Sequence, residues 1–354
     1  MGFRKFEVNM AGNAKINDKA ISYALNSLNG KEDSKSKAVW SAISKGFQSD
    51  SGSRENLQSR IALNSIIEST VPSKVTADLN GLLAFYAEVH NVDLNDIATI
   101  KTYSRERVKP VAGAAGTSRT RQEIVDKNVA VAQADYTGFG GMDYRKMAND
   151  PSGEFNSLLG KVTVDVRNSI LVDTQLSLVN GVKDNVGKTG IKYLEASGIT
   201  ETNLNTVLDE VFVEADGGVT IFGDRKVTRQ ISAFTGISNR SSEEALRNID
   251  NLGYQDKYLG ADVMFIKNFR DFSETETVSG LKLYKKQLLQ NKLFITPRGE
   301  MGNPNHVFLY GTPTTMQGAD INSGKVEFRV DQRAGNHFEE ERAYKVGIVG
   351  DTAI

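Results

Sequence analysis

The stretch from Ala98 to Asp150 most constrains what this chain can fold into. It lies in the middle of the sequence and lacks the apolar spacing of a core helix. It is rich in basic residues: Lys101, Arg105, Arg107, Lys109, Arg119, Arg121 and Lys127. Two runs flank a soft tip, Gly113-Ala114-Ala115-Gly116-Thr117-Ser118. Alternation on each side of a permissive turn is the pattern of a long β-hairpin arm. A compact domain rarely tolerates an open loop of this length unless the loop has a task. Such an arm has no core of its own to fold back on, so its expected partner is another protein chain.

The bulk numbers narrow the alternatives. The chain has 354 residues, 39% of them hydrophobic and 25% charged. That is enough for two domains, or for one elaborated domain with arms. Lys and Arg total 43 against 44 Asp and Glu, so no global charge drives the chain toward nucleic acid. The absence of cysteine excludes a disulfide framework, thiolate metal sites and a cysteine nucleophile. No apolar run approaches the roughly 18 residues of a membrane span. The start, Met1-Gly2-Phe3-Arg4-Lys5-Phe6, has no signal-peptide apolar region and lacks the Ser or Thr of a myristoylation site. The expectation is a soluble intracellular product, with no propeptide removed ahead of Met1.

Residues 1–97 read as short helices. Ile21, Ala24, Leu25 and Leu28 share one face; Val39, Trp40, Ile43 and Phe47 mark a second helix. Ser53 can cap a third, carrying Leu57, Ile61, Ile66 and Ile67. Pro72 is expected to break the chain before a fourth helix from Val75 to Val89. Past the arm, Tyr136 to Met142 is a glycine and aromatic segment. Asp150-Pro151 then opens the longest helix, with Phe155, Leu158, Leu159, Val162, Val166 and Ile170 at steps of three and four. Asn180-Gly181 reads as its stop, giving a spine of roughly 40 Å. Thr200 to Val213 is a helix bearing Leu204, Val207, Leu208 and Val211, and another helix runs from Lys226 to Thr235. Strands are expected at 217–222, 260–266, 293–297, 306–310, 325–330 and 343–349. The class is α+β, a sheet with helices against it.

Catalytic motifs fail on their geometry. Gly181 to Thr189 approximates a phosphate-binding loop, but five residues intervene instead of four and a helix precedes it instead of a strand. Gly138-Phe139-Gly140-Gly141 lacks the third spaced glycine of a dinucleotide loop and reads as a turn beside the arm. The three histidines, His90, His306 and His337, stand far apart in sequence without Cys, Asp or Glu at ligand spacing, so neither a metal nor another cofactor is expected. No Gly-x-Ser-x-Gly elbow is present. Glu339, Glu340, Glu341 and Arg342 form a charge run read as a solvated or intersubunit face. The basic arm, poor in aromatics, is read as an interface meeting carboxylates of a neighbour, because an Arg fork binds them in two places.

The order of these parts resembles the major capsid proteins of tailed bacteriophages, the Hong Kong 97-type fold. Asp216 to Val227 looks like the family's strand-then-helix segment of the axial domain, and Leu252 to Ile266 like its turn and Gly-x-x-Val strand. Leu293 to Pro297 resembles a later strand of that domain. Phe338 to Ile354 is similar to the closing strand, an acidic-Arg lead followed by an alternating run and a small-apolar finish. The resemblance covers about residues 98–354 and lies in architecture more than in motif.

That resemblance implies a helical N-terminal arm over 1–97, an extended β-hairpin loop over 98–150 and a spine helix over 151–189. An axial domain over 190–310 and returning peripheral strands over 311–354 would complete it. It implies a non-enzymatic shell protein whose hexamers and pentamers build an icosahedral head around double-stranded DNA, assembled in the host cytoplasm. Portal, scaffolding and decoration proteins would be its partners, with no membrane. Arg105, Arg107, Lys109, Arg119, Arg121 and Lys127 would be intersubunit contacts of the arm. Two other readings stay open: a cellular encapsulin-type compartment of the same fold, and a soluble enzyme of unrecognised type.

Overall fold

A computed structural model describes residues 22–24, 26, 33–49, 53–103, 126–189, 192–215, 218–234, 256–278, 281–298, 302–320 and 325–354. In chain order its elements begin with helices α1 (Ser34–Gln48) and α2 (Arg54–Tyr86). Strands β1 (Glu88–Val92), β2 (Thr99–Tyr103), β3 (Asp126–Ala130) and β4 (Ala134–Asp143) follow. Then come helices α3 (Tyr144–Asn149), α4 (Pro151–Asp184) and α5 (Val186–Thr189), strand β5 (Tyr193–Ala196), helix α6 (Glu201–Glu214), strand β6 (Val219–Gly223) and helix α7 (Arg225–Ile231). The rest is β: β7 (Lys257–Tyr258), β8 (Ala261–Phe265), β9 (Arg270–Val278), β10 (Leu281–Lys286), β11 (Lys292–Pro297), β12 (Asn305–Asp320) and β13 (Lys325–Phe338). A 3-10 turn (Glu340–Lys345) precedes β14 (Gly347–Asp351). The α+β class is therefore observed.

The chain divides into two compact units. One holds Met1–Leu79, Asp135–Ser169 and Tyr310–Arg333. Here α1 starts on a reciprocal cap: Asp33 accepts from the Ser36 N–H at 2.6 Å while Ser36 Oγ accepts from the Asp33 N–H at 2.9 Å. Val39, Trp40, Ile43 and Phe47 are its buried side, and Trp40 packs on Phe155 of α4 with centroids 6.0 Å apart. The Ser53 hydroxyl accepts from the Asn56 N–H at the start of α2. The buried side of α2 there is Asn56, Ser59, Ala62, Leu63 and Ile66; Leu57, expected inside, is exposed. The glycine segment expected as a turn is strand β4, which lies directly on α4. A Cβ on Gly138 would stand 2.7 Å from Val162, and one on Gly140 2.7 Å from Leu158, so no larger residue permits that approach.

The other unit holds Asn80–Ala134, Ile170–Leu309 and Ala334–Ile354. Its frame is a six-stranded sheet in the order β5-β14-β11-β6-β8-β7. β14 runs parallel to β5 and antiparallel to β11; β6 is antiparallel to β11 and parallel to β8. Alternation along the strands sends Ile221, Leu293, Ile295 and Val349 into a core with Leu204, Val207, Leu208 and Val211 of α6 and Val227 and Ile231 of α7. Phe222 and Phe294 point the opposite way and stack at 5.3 Å. Tyr86 of α2 meets both edge-on, at 5.0 and 5.4 Å. β11 and β14 are thus buried on both faces.

Further expectations change. Pro72 does not break the chain: α2 is one helix of 33 residues that ends at Tyr86, and the residues beyond it form β1. An interior proline costs about 3 kcal/mol; the buried turns carrying Leu63 and Ile66 before it, and Leu83 and Tyr86 after it, outweigh that. Gly181 does not stop α4, which continues to Asp184. The glycine is there for space, because a Cβ would sit 2.2 Å from the Phe338 ring. Finally, β9 and β10 pair as a hairpin that the sequence reading missed, with Leu281 opposite Val278 and Tyr284 opposite Thr275.

The two glycines of α4 give opposite expectations. Gly160→Ala, with nothing within 4 Å of its added methyl, should raise stability by about 1 kcal/mol, the usual gain at a helix interior. Gly181→Ala should lower it by about 1–3 kcal/mol, because the Phe338 ring must shift. Urea titration of the two variants checks the sign change. Asp351 gives a pH expectation. Burial pushes its carboxyl up, but hydrogen bonds from the Gln230 amide at 2.7 Å and from the N–H groups of Ala353 and Gly198 outweigh this and hold it below the ordinary value. A depressed group stabilises the fold above its unfolded pKa, and that contribution is lost as pH falls through the folded value, here below about pH 4. Asp351→Asn should lower the urea midpoint at neutral pH and flatten its fall under acid.

Candidate functional site

The base of the arm is a two-stranded ribbon. β2 pairs antiparallel with β3 from Thr99 opposite Ala130 to Tyr103 opposite Asp126. The Thr102 hydroxyl donates to the Lys127 carbonyl at 3.1 Å, and the Val131 N–H donates to the Ala98 carbonyl at 3.0 Å. Ala98, Ile100 and Val131 root the ribbon in buried surroundings. Gly335 of β13 gives it room, since a Cβ there would stand 2.5 Å from the Ala132 carbonyl oxygen. Lys101 and Lys127 are exposed. Lys127 is the one arm residue singled out for contact that the structure describes; Arg105, Arg107, Lys109, Arg119 and Arg121 lie outside the described residues.

The acidic run separates into two parts. Glu340 and Glu341, on the 3-10 turn, face solvent. Glu339 turns inward and is 8% exposed. Its Oε2 lies 3.2 Å from Arg342, and its Oε1 lies 3.6 Å from His306 Nε2. Burial opposes ionisation of Glu339, but the imidazole and guanidinium neighbours prevail and hold its pKa below the ordinary carboxylate value. The backbone fixes this inward turn: the Glu339 N–H donates to the Pro304 carbonyl at 2.7 Å.

The histidines, distant in sequence, converge. β1 and β12 are neighbours in the sheet ordered β1-β12-β13-β4, which sets His90 Nε2 3.0 Å from His306 Nδ1. Glu88, two residues before His90, reaches both rings, at 3.8 Å and 3.7 Å. Burial and the nearby His306 charge hold the His337 pKa below its usual value. Sequence spacing failed here because the ligand-type residues meet across strands; the Glu-x-His pair at 88 and 90 was its one local trace.

Two further features escaped the sequence reading. The β9–β10 hairpin exposes Leu281, Leu283 and Tyr284 and has no third strand among the described residues. A basic cleft at the start of α7 is lined by Arg225, Lys226, Arg229, Lys267 and Lys286 around Asp224. Asp224 caps the helix by accepting from the Lys226 N–H at 3.0 Å and takes Lys286 at 3.3 Å.

Comparison with known proteins follows the architecture. No curated protein matches the chain. Among solved structures, the capsid of the cyanophage P-SCSP1u superposes with a TM-score of 0.50 at 9% identity, over 75% of this chain and 86% of that one. At that identity the likeness speaks for the fold alone. A chain from Mycobacterium phage Che8 gives a TM-score of 0.49 at 12% identity, covering 73% and 86% of the two chains. A virus-like particle from Pyrococcus furiosus gives 0.44 at 12% identity, covering 79% and 98%. Among the described residues, no helix is long and apolar enough to cross a membrane. The sequence model of one family, described as "SPbeta prophage-derived putative capsid protein YonB", matches residues 9–350. A match over nearly the whole length assigns the molecule: the chain belongs to this YonB family of phage capsid proteins, and its α+β architecture is of the Hong Kong 97-type fold.

Proposed function

We propose that the chain assembles with copies of itself, as hexamers and pentamers, into an icosahedral phage head that encloses double-stranded DNA. The observation that carries this reading is the β2–β3 ribbon, an antiparallel pair with no third strand among the described residues. An isolated two-stranded ribbon is marginal in water. A neighbouring subunit lying under it supplies the missing contacts. A head-to-tail contact of this kind closes into rings when the rotation closes. The β9–β10 hairpin has the same need, and its exposed Leu281, Leu283 and Tyr284 suit a neighbour's surface.

In this reading residues 1–97 form the N-terminal arm, 98–150 the extended loop and 151–189 the spine helix. The segment 190–310, with β14 inserted in its sheet, faces the ring axis, and the rest of 311–354 returns to the periphery. Arg105, Arg107, Lys109, Arg119, Arg121 and Lys127 clamp carboxylates of the adjacent chain. The exposed pair Glu340 and Glu341 is a fitting acceptor. Many modest contacts per subunit add up to a shell that opens slowly. Scaffolding, portal and decoration proteins act on this lattice in the host cytoplasm, and the finished protein resides in the virion.

Negative-stain microscopy of particles from producing cells, followed by nuclease treatment, tests the reading. Closed shells with protected double-stranded DNA are expected. A purified chain that forms no particles overturns the proposal, and shells holding protein cargo without protected DNA reassign it to a cellular compartment. The arm is tested separately. Arg119→Ala with Arg121→Ala should leave the circular dichroism and melting of the subunit unchanged. It should cut particle yield about tenfold, as a total loss of about 1.4 kcal/mol for the pair would. An unchanged yield removes the clamp.

A further inference from the structure

We infer that Glu88, His90 and His306 form a binding site for a divalent transition-metal ion of the zinc class, which pins β1 to β12. The inference rests on geometry within one unit and does not depend on the shell reading. Ligand atoms around a tetrahedral ion with bonds of about 2.0–2.1 Å stand roughly 3.3 Å apart. The three atom pairs here measure 3.0 Å between His90 Nε2 and His306 Nδ1, 3.8 Å from His90 Nε2 to Glu88 Oε1, and 3.7 Å from His306 Nδ1 to Glu88 Oε2. They bracket that value. The two imidazole nitrogens and the two oxygens of the Glu88 carboxylate thus cluster around one point, with one ligand atom from each residue within 4.8 Å of the others.

The surroundings support a metal over a simple pair of stacked rings. Ligating imidazoles characteristically direct their second nitrogen at a carboxylate, which fixes the tautomer and raises basicity. His306 has this arrangement. Its Nε2 is buried without a hydrogen-bond partner and looks toward Glu339 Oε1 at 3.6 Å. Glu339 is in turn held by Arg342 at 3.2 Å. With Nε2 protonated toward that carboxylate, the lone pair of His306 lies on Nδ1, the atom that faces His90 and Glu88. Phe308 stacks on the His90 ring at 4.7 Å and holds its plane. The buried end of the site is His306, with a side chain 7% exposed; Glu88 and His90, at 24% and 34%, leave an entrance and a place for a water ligand. Two imidazoles and one carboxylate suit zinc, cobalt or nickel, while magnesium and calcium require oxygen ligands.

The test uses the full chain, stripped with a chelator and dialysed against Zn2+ alone. A single tightly held ion per chain is expected. Replacement by Co2+ should bring visible d–d absorption of four-coordinate intensity, and Zn2+ should raise the melting temperature. Glu88→Gln and His90→Gln should each weaken binding at least tenfold and abolish the melting shift while the metal-free spectrum and melting stay unchanged. Glu339→Gln, one shell out, should weaken it about 10- to 100-fold. Should His90→Gln fail to fold, Glu88→Gln at the open edge decides alone. Absence of bound Zn2+, affinity indifferent to Glu88→Gln, or equally tight binding of Mg2+ would each overturn the site.

Discussion

The burial of β11 and its neighbours on both faces is the constraint on which the larger unit depends. One face of the sheet closes on α6 and α7 through Ile221, Leu293, Ile295 and Val349. The other closes on Tyr86 through the stacked rings of Phe222 and Phe294. A one-residue slip in any of these strands would exchange aliphatic for aromatic side chains across the sheet. Register is therefore enforced from both sides at once. With the central strands fixed, the elements at their ends take determined places: the cap at Asp224, the hydrogen-bonded tail at Asp351 and the end of α2 at Tyr86.

Much of this was legible in the sequence because it follows from local periodicity. Leu204, Val207, Leu208 and Val211 announced α6, and all four are fully buried. Phe155, Val162, Val166 and Ile170 announced α4, and each is buried. The pairing of Thr99–Tyr103 with Asp126–Ala130 agrees with the alternation read on each side there. Errors arose where a partner distant in sequence changed the meaning of a residue. Gly181 has the look of a helix stop until Phe338 is laid against it. Gly138 and Gly140 suggest a turn until α4 lies across them. The histidines were invisible as a group because Glu88 and His90 meet His306 across a sheet. Hairpin β9–β10 was missed because its mostly polar strands carry little apolar alternation.

The family assignment and the physical reading support each other at different levels. The family match covers nearly the whole chain, whereas solved capsids share about a tenth of its residues. What persists at such distance is the fold. The two ribbons without a third strand among the described residues, β2–β3 and β9–β10, are the parts whose stability is least self-supplied.

The position of β14 has a consequence in time. It is the last strand of the chain order, yet it lies inside the sheet, between β5 and β11. While Gly347–Asp351 is still in the ribosome, β5 has no neighbour in the sheet and one edge of β11 stands open. A nascent chain therefore cannot close this unit, however early its helices form. The six-stranded sheet closes only once Gly347–Asp351 has been made and inserted between β5 and β11.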